Sequence, residues 1–214
     1  MIDKLKTLFN PDFICEYTGA VTIEEEDPQA KVRSVRLENG DFIYLNKKIL
    51  DQMNLLFKQK DDRFSLCKGC DGVLIYHCAK EKYLIWVELK SKYTYDNIIK
   101  AESQIEASYA KLFMLLHSFD DFVKENYKCC ALIIALEPDI ETLSKLTKKA
   151  QIMSGYCKER FCIKLYNAKD SGLILKHDIS LLKNLPLKMD YKFDELPIFF
   201  IPYSEKSIDI RKYL

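Results

Sequence analysis

Glycine and proline are scarce in this sequence, with six of each in 214 residues. This composition excludes collagen-like and low-complexity chains, which are much richer in one or both residues. Acidic and basic residues nearly cancel, and the formal net charge is +1. The chain is therefore no polycation, and any binding of nucleic acid must depend on a local basic patch.

Long apolar runs are also missing. No run of about 18 apolar residues, the length that spans a bilayer, occurs in the sequence. The first residues, MIDKLKTLFNPDF, lack the apolar core of a secretory signal. We therefore expect a soluble, cytoplasmic protein without a membrane partner. In that compartment the eight cysteines are expected to be mostly reduced thiols.

Several common catalytic motifs are absent as well. The sequence contains no Gly-rich phosphate loop, no G-x-S-x-G and no H-E-x-x-H. No Cys/His nucleophile pair stands out among the three histidines. P-loop NTPases, α/β hydrolases, zinc peptidases and cysteine hydrolases therefore lose support as function classes.

Hydrophobic patterning predicts alternating strands and helices. Asn39-Gly40 lies between two short apolar runs and is typical of a hairpin turn. Apolar residues at helical spacing predict helices over 49–57, 97–118 and 139–153. Strands are predicted over 72–77, 83–90, the continuous apolar run 129–136, residues 161–167 and DELPIFFIPY, whose prolines are typical of an edge strand. The fold class predicted from this order is mixed α/β (α+β), with a central mixed β-sheet flanked by helices.

The two strands of the predicted central pair carry charges at their ends. Asp71 precedes the first strand, and Glu88 and Lys90 close the second, whose two faces are apolar up to residue 88. Side chains alternate along a strand, so Glu88 and Lys90 share a face with Trp86. The charged pair is therefore expected at the end of a buried strand rather than along a solvated face.

An antiparallel pairing through a loop of even length would place Asp71 opposite Glu88 on the same face. Two carboxylates so close repel each other unless one is protonated or a cation lies between them. Mg²⁺ is commonly bound by one or two carboxylates together with waters and phosphate oxygens, so it is the cation expected between Asp71 and Glu88. Lys90 would point into the same site, where it could stabilise charge on a phosphate or orient an attacking water.

This pattern resembles the PD-(D/E)XK nuclease superfamily, which has the restriction-endonuclease-like fold. The resemblance consists of Asp71, sixteen intervening residues and then Glu88-Leu89-Lys90 at a strand end, with a long helix after it. It covers roughly residues 45–136. It implies that Asp71 and Glu88 bind Mg²⁺ or Mn²⁺, that the backbone carbonyl of Leu89 is a further metal ligand, and that Lys90 is the catalytic lysine.

The following helix adds a further candidate, and two positions depart from the family pattern. Gln104, five residues before Tyr109, resembles the first residue of a Gln–Tyr helix motif in some members and is implied as a catalytic residue. Cys70 stands before the aspartate where a proline is typical. The upstream glutamate that some members carry on their first helix has no clear counterpart, since only Asp51 or Gln52 is available.

The resemblance implies a metal-dependent nuclease that hydrolyses phosphodiester bonds of nucleic acid, with DNA favoured over RNA, in a setting such as restriction or anti-phage defence. Residues 1–214 are then one nuclease-like domain, with a core over about 45–136, an N-terminal hairpin and a C-terminal α/β extension. Its partner would be nucleic acid, and a homodimer or a partner subunit is compatible with it. Two alternatives stay open: an inactive nuclease-fold module that acts with a partner protein, and an unrelated α/β domain whose carboxylates lie far apart.

Two further patterns allow more than one interpretation. Cys67-Lys-Gly-Cys70, with His77 or Cys78 as additional ligands, could form a zinc site, but a single C-x₂-C without a second pair is a weak zinc signal and favours plain reduced thiols. Between residues 142 and 164, six basic residues stand against one acid, Glu159, and they could track a nucleic-acid backbone or form a solvated helix face. The six are Lys145, Lys148, Lys149, Lys158, Arg160 and Lys164.

Overall fold

The structure, a computed structural model, consists of helices and one mixed β-sheet. It describes residues 2–57, 65–78, 81–152, 157–204 and 207–214. The α-helices are α1 (Ile2–Leu8), α2 (Lys47–Gln52), α3 (Tyr95–Leu116), α4 (Ile140–Ile152) and α5 (Lys158–Asn167). The strands are β1 (Ile14–Glu24), β2 (Ser34–Asn46), β3 (Gly72–Cys78), β4 (Glu81–Lys90), β5 (Lys128–Ala135), β6 (Leu173–Lys176), β7 (Glu195–Pro202) and β8 (Ser207–Asp209). The predicted mixed α/β class is confirmed.

The sheet has the order β1-β2-β3-β4-β5-β7-β6, with β8 beside β2. Strands β1 to β4 pair antiparallel in chain order, whereas β5 lies parallel to β4 and β7 lies parallel to β5. Parallel neighbours need a long crossover, and α3 supplies it between β4 and β5. Because α3 begins soon after β4 ends, its N-terminal half lies near the end of β4 that carries the charged residues.

Both faces of β4 are covered, as its two apolar faces predict. Leu84 and Trp86 belong to the core that contains α3, while Ile85 and Val87 belong to a second core on the opposite face of the sheet. The second core is completed by residues of β1 and β2 and by the end of the chain around Ile210. The polar residues that end β4 are therefore enclosed rather than displayed on an open sheet face.

Helix α3 is buried nearly all round. Its apolar stripe packs on the sheet as predicted, and the stripe comprises Ile98, Ile105, Tyr109, Leu112 and Leu116. The helix also buries polar side chains on other faces, namely Glu102, Ser103, Glu106, Ser108 and Lys111. Buried polar groups cost stability unless they are hydrogen-bonded, so these side chains require partners. No helix in the described ranges is both long and apolar enough to cross a bilayer.

The hairpin turn predicted at Asn39-Gly40 is wrong, because both residues lie inside the single long strand β2. Gly19 pairs with Gly40 and Ala20 pairs with Glu38, so Asn39 is an extra residue in β2 and has a φ of 70°. Such a bulge bends a strand. The N-terminal hairpin is instead formed by β1 and β2.

Two further predictions near the C-terminus are corrected. Residues 161–167 belong to α5 rather than to a strand, because Phe161, Cys162 and Leu165 are buried together on one helical face. The strand formed by DELPIFFIPY exists as β7, but it lies between β5 and β6 rather than at the edge. The short β6 occupies the edge, which the proline pattern of β7 did not indicate.

We expect Gly40→Ala to destabilise the protein, because a Cβ atom at this position would collide with the ring of Tyr76. That ring cannot move freely, since it is buried and its hydroxyl donates a hydrogen bond to the carbonyl of Asn39 at 3.2 Å. The loss should be about 1–3 kcal/mol in the free energy of unfolding measured with urea. The neighbouring change Asn39→Gly keeps the positive φ available and should leave stability nearly unchanged. Equal stability of Gly40→Ala and wild type would contradict this packing.

Candidate active site

The register of β3 with β4 brings Asp71 and Glu88 together. Gly72 pairs with Val87, and one further step along both strands places Asp71 opposite Glu88. The predicted register is therefore confirmed, and the alternative in which the two carboxylates lie far apart is excluded. Both side chains are enclosed, with 4% of Asp71 and 0% of Glu88 exposed.

Asp71 is bound to the end of β4 through the backbone. Its Oδ2 accepts a hydrogen bond from the N–H of Leu89 at 2.7 Å. Within a strand, the N–H and C=O of one residue point to the same side. The carbonyl of Leu89 is therefore directed towards the side on which Asp71 lies, as its implied role as a metal ligand requires. The hydroxyl of Tyr44 also donates to the backbone carbonyl of Asp71, at 3.4 Å.

Glu88, Lys90 and Gln104 form a continuous hydrogen-bonded chain. The ammonium of Lys90 donates to Oε1 of Glu88 and also to Oε1 of Gln104, the latter at 2.9 Å. The amide of Gln104 donates in turn to the carbonyl of Gly69 at 2.7 Å. Within the described part of the chain, Oε2 of Glu88 is buried and has no hydrogen-bond partner. The predicted residues thus come together, and one carboxylate oxygen remains available to a cation.

The electrostatics of the site disfavour two bare carboxylates. Burial raises the pKa of Glu88 to about 8, and the neighbouring Asp71 adds to the effect, while Lys90 acts in the opposite direction. Burial also raises the pKa of Asp71 to about 6, although the hydrogen bond from Leu89 opposes this. The pair therefore needs positive charge beyond that of Lys90 to stay fully ionised.

Helix α3 binds the loop that precedes Asp71 at three consecutive residues. Gln104 donates to the carbonyl of Gly69, and the N–H of Cys70 donates to Oγ of Ser108 at 2.9 Å. Lys111 donates to the carbonyl of Lys68 at 2.8 Å. Because the three helical residues are spaced four and three apart, they share one face of α3. This face fixes the loop and thereby the position of Asp71.

Lys111 is itself held from α2 and the residues that follow it. Its ammonium donates to Oδ1 of Asn54 at 2.8 Å, and the amide of Asn54 donates to Oδ1 of Asp51 at 3.1 Å. Burial lowers the pKa of Lys111, and the nearby Asp51 carboxylate opposes this. In the sequence, Asp51 was a candidate counterpart of the upstream acidic ligand. In the structure it instead helps to hold the loop before Asp71, through Asn54 and Lys111.

Other candidate residues do not join the site. Tyr109 is buried in the core, where its ring lies tilted against that of Trp86, with the ring centroids 4.9 Å apart. The zinc alternative finds no support, because Cys70 lies before β3 and His77 lies near its far end. In the described residues, no group of three or more His, Cys, Asp or Glu side chains is arranged to hold a metal ion.

The basic segment 142–164 is partly structural. Lys158 donates to both carboxylate oxygens of the buried Glu102, at 2.8 and 2.7 Å, and Nε of Arg160 donates to the carbonyl of Ala150 at 3.0 Å. Lys145 pairs with Glu141 at 2.6 Å. Lys148, Lys149 and Lys164 are exposed. Two of the six cations, Lys158 and Arg160, are thus committed to internal contacts, whereas Lys145 pairs with Glu141 at the surface, so only part of the patch is structural.

Two charged residues near the site were missed by the sequence analysis. Glu25, in a run of acidic residues after β1, is half-buried and lies near enough to Asp71 and Glu88 to raise the pKa of both. Lys47, at the start of α2, acts on Asp71 in the opposite direction. A cleft of about 370 Å³ is lined by Lys47, Tyr44 and Asp71 among others, so it reaches the site at Asp71. Only the fold of β1 against β2 brings Glu25 here, so no local signal could have found it.

No protein-family model, no curated protein and no solved structure matches this chain. The resemblance to PD-(D/E)XK nucleases therefore depends on the residues Asp71, Glu88, Lys90 and Gln104 and on their arrangement.

A second pair of buried carboxylates lies on another face of α3. Glu102 is neutralised by Lys158, whereas Glu106 accepts hydrogen bonds from Oγ of Ser180 at 2.7 Å and from the N–H of Leu182 at 3.1 Å. Burial and the charge of Glu102 raise the pKa of Glu106 to about 8. This pair joins α3 to α5 and to the irregular segment around residue 180, and it does not contact the candidate active site.

We expect Ser108→Ala to cost about 1–3 kcal/mol of unfolding free energy, because it leaves the buried N–H of Cys70 without an acceptor. The same substitution at the exposed Ser118, near the end of the helix, is the matched control and should change stability by less than about 0.5 kcal/mol. Urea unfolding of both variants measures the difference. Equal stability would show that α3 does not hold the loop through this contact.

Glu106 should make the protein less stable as the pH rises. Its pKa in the folded state is about 8 against an ordinary value of 4.5, so the folded state binds more protons than the unfolded state between these values. The free energy of unfolding contributed by Glu106 is therefore greatest at low pH and falls as the pH rises through this window. Glu106→Gln should reduce the pH dependence measured by urea unfolding from pH 5 to about 8. The exposed Glu125→Gln is the control, and identical profiles for both variants would refute this assignment.

Proposed function

We propose that this protein is a metal-dependent nuclease of the PD-(D/E)XK type, which hydrolyses phosphodiester bonds of nucleic acid, with DNA favoured over RNA. The observation that carries the proposal is the convergence of Asp71, Glu88, Lys90 and Gln104 at one buried end of the sheet. An incidental surface ion pair would have neither this enclosure nor the link through α3 back to the loop before Asp71. Restriction or anti-phage defence is the setting that the resemblance implies.

The residues fit a small divalent cation such as Mg²⁺ or Mn²⁺. Mg²⁺ is commonly held by one or two carboxylates, with waters and substrate phosphates completing its coordination, so a third acidic ligand is not required. Asp71 and Glu88 would hold the ion, together with the carbonyl of Leu89. Oε2 of Glu88 is buried and has no hydrogen-bond partner among the residues that the structure describes, which supports this assignment because a cation would compensate its desolvation. When bound, the ion supplies Lewis-acid activation of water and neutralises phosphate charge.

Lys90 is the group that would act on the substrate. Its ammonium has three donors, and Glu88 and Gln104 accept two of them in the structure. The third donor is available to the scissile phosphate or to the attacking water. Gln104 orients the ammonium, because its own amide is fixed by the carbonyl of Gly69. In so enclosed a site, a fixed positive charge stabilises the developing phosphorane charge more strongly than it would in water.

Lys90→Met should abolish cleavage while keeping the volume of the side chain. We expect metal-dependent cutting by the wild type and a decrease in rate of at least about 10²-fold in the variant, the effect of removing one group that stabilises transition-state charge. Labelled single- and double-stranded DNA and RNA are the substrates, each with Mg²⁺, Mn²⁺ or EDTA. Lys82→Met is the matched control, since Lys82 is exposed at the opposite end of the same strand.

The results of this assay distinguish an active nuclease, a role for Lys90 and an inactive module. Cutting that requires metal and is lost only in Lys90→Met supports the nuclease and identifies its substrate class. Equal cutting by Lys90→Met and Lys82→Met would remove Lys90 from the mechanism. If the wild type cuts none of the four substrates and binds no Mn²⁺, the chain is an inactive nuclease-fold module that acts with a partner protein.

A further inference from the structure

Two lysines lie beside the candidate active site without being part of it. Lys68 belongs to the loop that leads into Asp71, and its ammonium donates a hydrogen bond to Oγ of Ser103 on α3 at 3.2 Å. Lys100 is exposed on the same helix, three residues before Ser103 and four before Gln104. Residues at these spacings are neighbours on a helix surface, so Lys100 shares a face with the group that holds Lys68.

The two ammonium groups are close enough to repel each other. Burial lowers the pKa of Lys68, and the positive charge of Lys100 lowers it further. In the ranges that the structure describes, neither lysine forms an ion pair with a carboxylate. Like charges that lie side by side destabilise a protein unless an anion joins them. The arrangement therefore favours a negatively charged ligand at this position.

The position of the pair relative to Lys90 indicates which anion it would bind. Gln104, which contacts Lys90, is one helical turn from Lys100, or about 6 Å along the axis. Successive phosphates of one DNA strand advance by about 3.4 Å along the duplex axis, so a phosphate near the scissile one falls within reach. Because the loop before Asp71 is bound to α3 at Gly69 and Cys70, the Lys68 backbone is fixed with respect to the site.

We propose that Lys68 and Lys100 form a phosphate subsite that binds a backbone phosphate of the nucleic-acid substrate beside the scissile group. This inference rests on the proposed nuclease function and deepens it. Lysine binds phosphate as a point charge on a flexible stem, which suits a contact that positions the strand without reading its bases. The subsite would hold the strand in register with Lys90 and would be indifferent to sequence.

The test measures binding without chemistry. Fluorescence anisotropy follows labelled single- and double-stranded DNA oligonucleotides in EDTA and in Ca²⁺ over a range of salt concentrations. The test variant carries both Lys68→Gln and Lys100→Gln. The control variant carries both Lys82→Gln and Lys176→Gln, so it loses the same charge from exposed positions on β4 and β6. The first variant should bind roughly tenfold more weakly, and its log–log salt slope should be smaller by about 1, the value for one lost phosphate contact.

A single substitution, Lys100→Glu, provides a second test at an exposed position, where folding is not at risk. It should weaken binding at least as much as the double variant. The subsite would be overturned if its variants and the control had equal affinities and equal salt slopes. It would also be overturned if the wild type bound no DNA at low salt. Cleavage is measured separately. Cutting with unchanged slopes would retain the nuclease and reject the subsite, whereas a reduced slope with neither cutting nor Mn²⁺ binding would leave a phosphate contact of Lys68 and Lys100 and reject the nuclease.

Discussion

The pairing of β3 with β4 decides where every group of the candidate active site lies. Because side chains alternate along a strand, a shift of one residue would move Glu88 and Lys90 to the opposite face of the sheet. The observed register sets Asp71 against Glu88 and leaves the N–H of Leu89 free to bind the Asp71 carboxylate. The charged end of β4 distinguishes its two apolar faces, since a shift of one residue would turn Glu88 and Lys90 into the second core, which is apolar at that level.

Enclosing these charges at the end of a central strand is unfavourable by itself, and the surrounding structure compensates for it. Lys90 neutralises part of the charge, and Gln104 connects Lys90 to the loop before Asp71. Ser108 and Lys111 on the same helix hold that loop. Helix α3 thus has two roles, because its apolar stripe packs on the sheet while a polar face fixes the site. Such support by surrounding groups is what keeps a catalytic constellation in place.

The sequence predicted the central strands, the long helix and the convergence of Asp71, Glu88 and Lys90, because each depends on periodicity that is local to the chain. It failed where tertiary context decides the outcome. Residues 161–167 form a short apolar-rich run that fits a strand, but Phe161, Cys162 and Leu165 are buried as one face of the helix α5, which packs against α3. Asn39-Gly40 has the residues of a turn, yet the same backbone preference serves a bulge in β2.

The supporting residues were predictable only in part. Ser108 and Lys111 interrupt an apolar helix at the spacing of Gln104, which in retrospect indicates a polar face. Their partners at Lys68 and Cys70 could not be found from the sequence, because the contacts span about forty residues of chain. Glu25 was missed for the same reason, since β1 and β2 must first fold against each other to bring it near Asp71.

Binding of Mn²⁺, followed by electron paramagnetic resonance, reports directly on a metal site between Asp71 and Glu88. We expect the folded wild-type protein to bind Mn²⁺, and Asp71→Asn and Glu88→Gln each to abolish the binding, while the exposed Glu125→Gln retains it. The Asn and Gln variants keep the shape of the side chains, so loss of binding would report loss of the carboxylate charge. Equal binding by all four proteins, or none by the wild type, would contradict a metal site between these two carboxylates.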